Sequence, residues 1–117
     1  MSALTELQFK FSMRLALLIQ RAYELGYTIQ MGECYRTSEQ AALNAQKGSG
    51  VSNSLHTDHL AVDINLFKDG KYITDSTGHT DLGTYWKSLG PEMRWGGDFT
   101  KRKDFNHYSI TPDGVRG

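Results

Sequence analysis

The chain has 117 residues, enough for one domain with one core, and its 13 Lys and Arg balance its 13 Asp and Glu. A neutral chain has no charge-driven case for binding nucleic acid or an anionic membrane, and its only basic run, Lys101-Arg102-Lys103, reads as a solvated loop. A single cysteine, Cys34, rules out an internal disulfide, and no apolar run reaches the roughly 18–20 residues that span a bilayer. The opening MSALTELQFKF lacks the basic-then-apolar pattern of a secretory signal. A soluble chain made in the cytoplasm, a monomer with no nucleic-acid or membrane partner, is the expectation.

Residues 5–25 predict a helix, with Phe11, Leu15, Leu18, Ala22 and Leu25 on one face, a capping box at Thr5 and Gln8, and a stop at Gly26. YTIQM (27–31) is a short β-prone run. A second helix is predicted from Thr37, where TSEQ matches the capping box again, to about Gln46, ended by Gly48 and Gly50. GSGVSNS (48–54) reads as a loop. LAVDINLF (60–67) alternates: Leu60, Val62, Ile64 and Leu66 point one way, Ala61, Asp63, Asn65 and Phe67 the other. Asp69-Gly70 signals a hairpin, with KYIT as the return strand. A third helix fits 81–89, with Leu82, Tyr85, Trp86 and Leu89 inward and Gly90-Pro91 as the stop. MRWGGDFTKRKDFNHYSI is loop and strand. This order predicts a small α+β domain with a mainly antiparallel sheet and about three helices.

The 60–67 strand carries a carboxylate, Asp63, in its middle, on the face away from the core. His56 lies in the loop that feeds it. Asp104 and His107 form a second acid–imidazole pair, and in a 107–110 strand His107 shares a face with Ser109. Two imidazoles and one carboxylate are a three-ligand set for catalytic zinc with one position left for water, and neutral nitrogen and carboxylate oxygen suit zinc without thiolates. Zinc lowers the pKa of bound water from about 15.7 to about 7. Asp104, three residues before His107, is near enough to accept that water's proton and pass it to a leaving amine. His56, Asp63, His107 and Asp104 thus point to a hydrolase. Four histidines in 117 residues equally fit surface or satisfied core groups, and spacing alone does not decide between the two.

Ser54-x-His56-x4-Ala61-x-Asp63, then Trp95-Gly96-Gly97-Asp98-Phe99, then Asp104-x-x-His107, with Tyr35-Arg36-Thr37 and Gln40 upstream, span about residues 30–110. In this order they resemble the zinc D-Ala-D-Ala carboxypeptidase and L-alanyl-D-glutamate endopeptidase family, which includes the vancomycin-resistance D,D-peptidases and several phage endolysins. The resemblance implies a D,D-peptidase or Hedgehog-type α+β fold over 1–117, without a separate cell-wall-binding module. It implies zinc held by His56, Asp63 and His107, with Asp104 as general base. Arg36 would stabilise the oxyanion or hold a substrate carboxylate. Ser54 and Asp98 would bind substrate. The expected activity is zinc-dependent hydrolysis of the peptide stem of bacterial peptidoglycan, at the L-Ala-D-Glu bond. The alternatives are a D-Ala-D-Ala carboxypeptidase, or a non-catalytic zinc-containing cell-wall-binding or virion structural domain, against which the intact Asp104 argues. A phage or prophage lysis protein acting at the cell wall is the expected setting.

The chain departs from the family pattern at His59, where a small residue is usual, which makes Asp58 and His59 competing ligand candidates. Tyr108-Ser109 follows His107 where an aromatic and then Glu or Gln is common. Among the remaining residues, Cys34 is expected to be buried and structural, His79 a turn residue, and Trp86 part of the core, while Trp95 fits either the core or a cleft wall.

Overall fold

One long strand organises the molecule. In the computed structural model, which describes residues 2–35, 37, 39, 40, 43, 58–100 and 103–111, the 60–67 run forms β2 (Ala61–Lys68). Val62, Ile64 and Leu66 are fully buried on one face, and Asp63, Asn65 and Phe67 are half-buried on the other. The remaining elements are α1 (Ala3–Glu24), β1 (Thr28–Met31), β3 (Lys71–Tyr72), α2 (His79–Ser88), β4 (Met93–Trp95), a 3-10 turn at Gly96–Asp98, and β5 (His107–Ile110). The sheet runs β1-β2-β5-β4, with β3 also paired to β2, and every pairing is antiparallel. This is the α+β domain expected.

Helix α1 starts two residues earlier than predicted. Ser2 is the N-cap, its hydroxyl accepting the Thr5 N–H at 3.1 Å. The Thr5–Gln8 capping box is therefore superseded, and Gln8 instead donates to the Asp58 carbonyl at 2.8 Å. At the other end Gly26 takes φ +92°, and the Tyr27 and Gly26 N–H groups return to the Ala22 and Tyr23 carbonyls, a Schellman closure. Of the second predicted helix, residues 39, 40 and 43 are helical, and Gln40 N–H donates to Thr37 Oγ1 at 3.1 Å. The rest of that prediction lies outside the described residues.

Asp69 and Gly70 both have positive φ, 52° and 79°, the two-residue turn whose twist matches its strands. The return strand is shorter than KYIT: only Lys71 and Tyr72 pair, with Ile73 N–H reaching the Leu66 carbonyl at 2.9 Å. Helix α2 begins at 79 rather than 81. Its N-cap, Gly78, has φ +78° and lies against the Tyr27 ring, where a Cβ would sit 2.7 Å from Cζ.

The helices cover the apolar sheet face. Trp86 meets Phe11 of α1 edge-on (5.8 Å, 87°) and Tyr108 of β5 likewise (6.1 Å, 83°), and its indole N–H donates to the Ser109 carbonyl at 2.9 Å. Such edge contacts add about 0.5–1.5 kcal/mol each beyond burial. Arg14 ties α1 to the approach to β4 through a hydrogen-bonded ion pair with Glu92. Burial is the largest single influence on Glu92 and raises its pKa. The hydrogen bond to Arg14, a backbone hydrogen bond and the charges of Arg14 and Lys10 together outweigh it and leave the carboxyl below its usual value. Trp95 belongs to this core, donating its indole N–H to the Phe105 carbonyl at 2.9 Å.

His79 is not a turn residue. It is fully buried in the first turn of α2, with Nδ1 2.8 Å from the Tyr108 hydroxyl. The turn-like STGHTD context is real, but it ends against the sheet, so the imidazole enters the core. Burial pushes its pKa down to about 4, and Asp75 only partly opposes this.

Candidate metal centre

The site is a product of register. β2 and β5 pair Asp63 directly with His107 and Val62 with Tyr108. Alternation then puts Val62 and Tyr108 in the core and Asp63 and His107 side by side on the opposite face. Asp104 comes from the turn just before β5. Ligand atoms of Asp63, Asp104 and His107 all lie within 4.8 Å of one another, the one such cluster of acidic, His or Cys groups among the described residues.

Backbone bonds hold that turn in place. Asp104 N–H donates to the Gly96 carbonyl at 2.9 Å, and His107 N–H to the Asp104 carbonyl at 3.1 Å. Gly96 sits under both residues: a Cβ there would collide with the Asp104 carbonyl oxygen and approach His107 Cβ at 2.8 Å. The Trp-Gly-Gly segment thus serves the site without contributing a ligand. Phe99 packs its ring against the His107 imidazole at 5.4 Å. On the other side of Asp63, Gly32 N–H reaches the Asp63 carbonyl and Asp63 N–H the Glu33 carbonyl, both at 2.8 Å. A side chain at Gly32 would meet that same carbonyl at 2.9 Å. Sequence reasoning missed Gly32. Its only signal was a glycine at the end of a β-prone run.

Of the other expected site residues, Ser54, His56 and Arg36 lie outside the described residues. Asp98 forms an ion pair with Lys87 at 2.8 Å, fastening the 3-10 turn to α2. Neither Asp58 nor His59 is part of the cluster. His59, at φ +58°, is exposed and stacks on Tyr35 with ring centres 4.4 Å apart. The expected burial of Cys34 is not found, because the residue is exposed. Partial desolvation of its thiol, and then the Asp63 carboxylate, raise its pKa, which disfavours the thiolate a thiol peptidase needs. Cys34 and His59 line a cavity of about 430 Å³ with Gln8, Phe11, Ser12 and Leu15 of α1.

One imidazole and two carboxylates are donors that suit a borderline cation such as zinc. His107 Nδ1 and Asp63 Oδ1 stand 3.7 Å apart, too far for a hydrogen bond. Two ligands of one tetrahedral zinc, each about 2.0–2.1 Å from it, lie roughly 3.3 Å from each other. The pair is therefore spaced to face a shared ion. Its two members are 7% and 29% exposed, so the imidazole is buried while the carboxylate keeps some access to solvent. The residues present fit the metal.

An acid–acid–imidazole cluster set across two antiparallel strands and the turn before one of them, backed by a helical layer, is a donor set that can hold a divalent metal. Residues 47–110, more than half of the chain, match the sequence model of the peptidase M15 family described as D-alanyl-D-alanine carboxypeptidase, and the chain belongs to that family. It is a metallopeptidase of a peptidoglycan-directed kind. Among solved structures it is similar to the Serratia marcescens L-Ala D-Glu endopeptidase ChiX, with 20% identity and a TM-score of 0.66 over 80% of this chain and 75% of that one. It is also similar to a variant of the vancomycin resistance D,D-pentapeptidase VanY from a VanB-type resistance cassette, in complex with Zn(II), with 22% identity and a TM-score of 0.57 over 86% of this chain and 70% of that one. No curated protein matches the sequence significantly.

Proposed function

We propose that the chain is a zinc-dependent peptidase that hydrolyses the L-alanyl-D-glutamate bond in the peptide stem of peptidoglycan. The observation that carries this reading is the convergence of Asp63, Asp104 and His107, from two strands and a turn, within 4.8 Å. Similarity to an L-Ala D-Glu endopeptidase at the higher of the two TM-scores supports the choice of bond. The family's description favours a second reading, a D-Ala-D-Ala carboxypeptidase on the same site.

In this proposal Asp63 and His107 hold the metal, with His56 completing the set. A bound zinc ion would acidify its water to a pKa of about 7 and polarise the scissile carbonyl. Asp104, the most exposed of the three clustered residues, is the general base. It takes the proton of the attacking water and returns it to the leaving nitrogen, so it starts and ends the cycle as carboxylate. Arg36 supplies a fixed cation for the carbonyl oxygen as charge develops there. Ser54 and Asp98 would bind substrate, and Asp98 would have to exchange its Lys87 partner for it.

The decisive experiment is digestion of defined muropeptides by the purified protein, with and without chelator, and mass spectrometry of the fragments. Chelator-sensitive release at L-Ala-D-Glu is expected. Release of terminal D-Ala alone would select the carboxypeptidase, and binding without cleavage would leave only a wall-binding role.

A further inference from the structure

Next to the Asp63–His107 pair the same sheet face carries a row of side-chain amides. Gln30 of β1 stands opposite Asn65 of β2 in the register. Asn106, in the turn before β5, donates its side-chain N–H to Asn65 Oδ1 at 2.7 Å, and Asn65 Nδ2 donates to Gln30 Oε1 at 3.2 Å. The Asn106 carbonyl also accepts the Ile64 N–H at 2.9 Å, which pins the row's inner end to the sheet. Asn65 follows Asp63 by one side-chain step along the strand, about 6.8 Å. Asn106 directly precedes His107.

We propose that the Gln30–Asn65–Asn106 row is a binding subsite that holds the peptide backbone of the substrate beside the metal centre. This rests on the function proposed above and names the part of the site that grips the stem. Asparagine is disfavoured in strands, so an Asn beside the cluster on β2, bonded to a second Asn, contributes little to the sheet itself. Each primary amide offers two donors and two acceptor lone pairs. Among the described residues the row uses one donor of Asn106, one donor and one acceptor of Asn65, and one acceptor of Gln30. Those internal bonds fix which end of each amide faces which way, so the groups left over are aimed rather than rotating. They match the N–H and C=O of a peptide. A stem that joins L- to D-residues does not run on as a regular added strand. Separate side-chain amides, each meeting one peptide group, suit it better than a strand edge.

The test compares Gln30→Ala and Asn65→Ala with the unaltered metal-loaded protein, on a free stem peptide and on the same stem linked to glycan. KM should rise about 3- to 10-fold for both substrates, with kcat, metal content and melting temperature held. An unchanged KM, a rise confined to the glycan-linked substrate, or a loss of metal content overturns the subsite. A second readout needs no turnover: the side-chain NH2 signals of Gln30, Asn65 and Asn106 in the Asp104→Asn protein should shift in NMR spectra as stem peptide is added. Shifted signals without cleavage by the unaltered protein would overturn the proposed activity and keep the subsite. Cleavage with unmoved signals would do the reverse.

Discussion

The two faces of the β2–β5 pair are made from alternate residues of the same strands, yet they obey different rules. On the helix-covered face Val62, Ile64, Leu66, Tyr108 and Ile110 are fully buried, and burial of each aliphatic side chain stabilises by about 1.5–3 kcal/mol. On the other face Asp63 and His107 meet through one register pair, and a turn adds Asp104. Two buried histidines mark the contrast. His79 lies on the core side, bonded to Tyr108, and its neutral form is favoured by burial. His107, one residue from Tyr108 in sequence, lies on the other side, 3.7 Å from a carboxylate. Packing energy is spread over many contacts and tolerates change, whereas the chemistry needs each donor in place.

The largest separation of the two faces is expected from Asp104→Asn. Activity should fall by about 10²–10⁴ while metal content and melting temperature stay near those of the unaltered protein. Full activity in this variant, measured beside metal stoichiometry, would remove the general base from Asp104. Gly96→Ala should cost nearly as much activity by a different route. The added methyl displaces the Asp104 carbonyl and His107, so metal affinity drops as well, as titration with zinc would show. If Gly96→Ala binds zinc normally, the site does not depend on that close approach.

On the core face, Leu66→Ala should lower stability by about 2–5 kcal/mol in denaturant unfolding. The folded fraction should retain zinc. Loss of metal from protein that is still folded would show the two faces to be coupled.

The smallest effect concerns His79. Its folded pKa of about 4 lies below the ordinary value of 6.5, so the unfolded chain takes up the proton first. The stability that its neutral form secures is present above about pH 6.5 and is lost as pH falls toward 4, by at most about 3 kcal/mol. His79→Gln should flatten this slope in metal-free protein. Identical slopes would mean that protonation of His79 does not govern acid sensitivity.

Much of this contrast is legible in the sequence. The alternation of LAVDINLF assigns Asp63 to the face opposite Val62 and Ile64, and HYSI does the same for His107 against Tyr108, because strand periodicity is a local property. The pairing of Asp63 with His107 is not legible from the residues alone. It is a contact between positions far apart in the chain, and only the order of motifs suggests it. At His79 the sequence misleads, because Ser-Thr-Gly has the chemistry of a turn. The course of the chain beyond that turn depends on the Tyr27 ring that Gly78 accommodates, which local composition does not reveal. Cys34 misleads for a related reason: a position after a strand end does not determine its own exposure. Gly96 is only a motif letter in the sequence, and its role depends on the Asp104 carbonyl that lies against it in the fold.

The Asp69-Gly70 hairpin has a consequence for how such a protein is extended or tagged. Asp63 lies near the β5-paired end of β2, and the turn comes after the strand's last residue, Lys68. Six residues of extended chain from Asp63 to Asp69 cover roughly 20 Å. A foreign segment spliced in at that tip, such as a wall-targeting module or a fluorescent reporter, would ride at a distance from the chemistry. The strand ladder, rather than the length of the connection, would keep the acidic and imidazole groups facing each other.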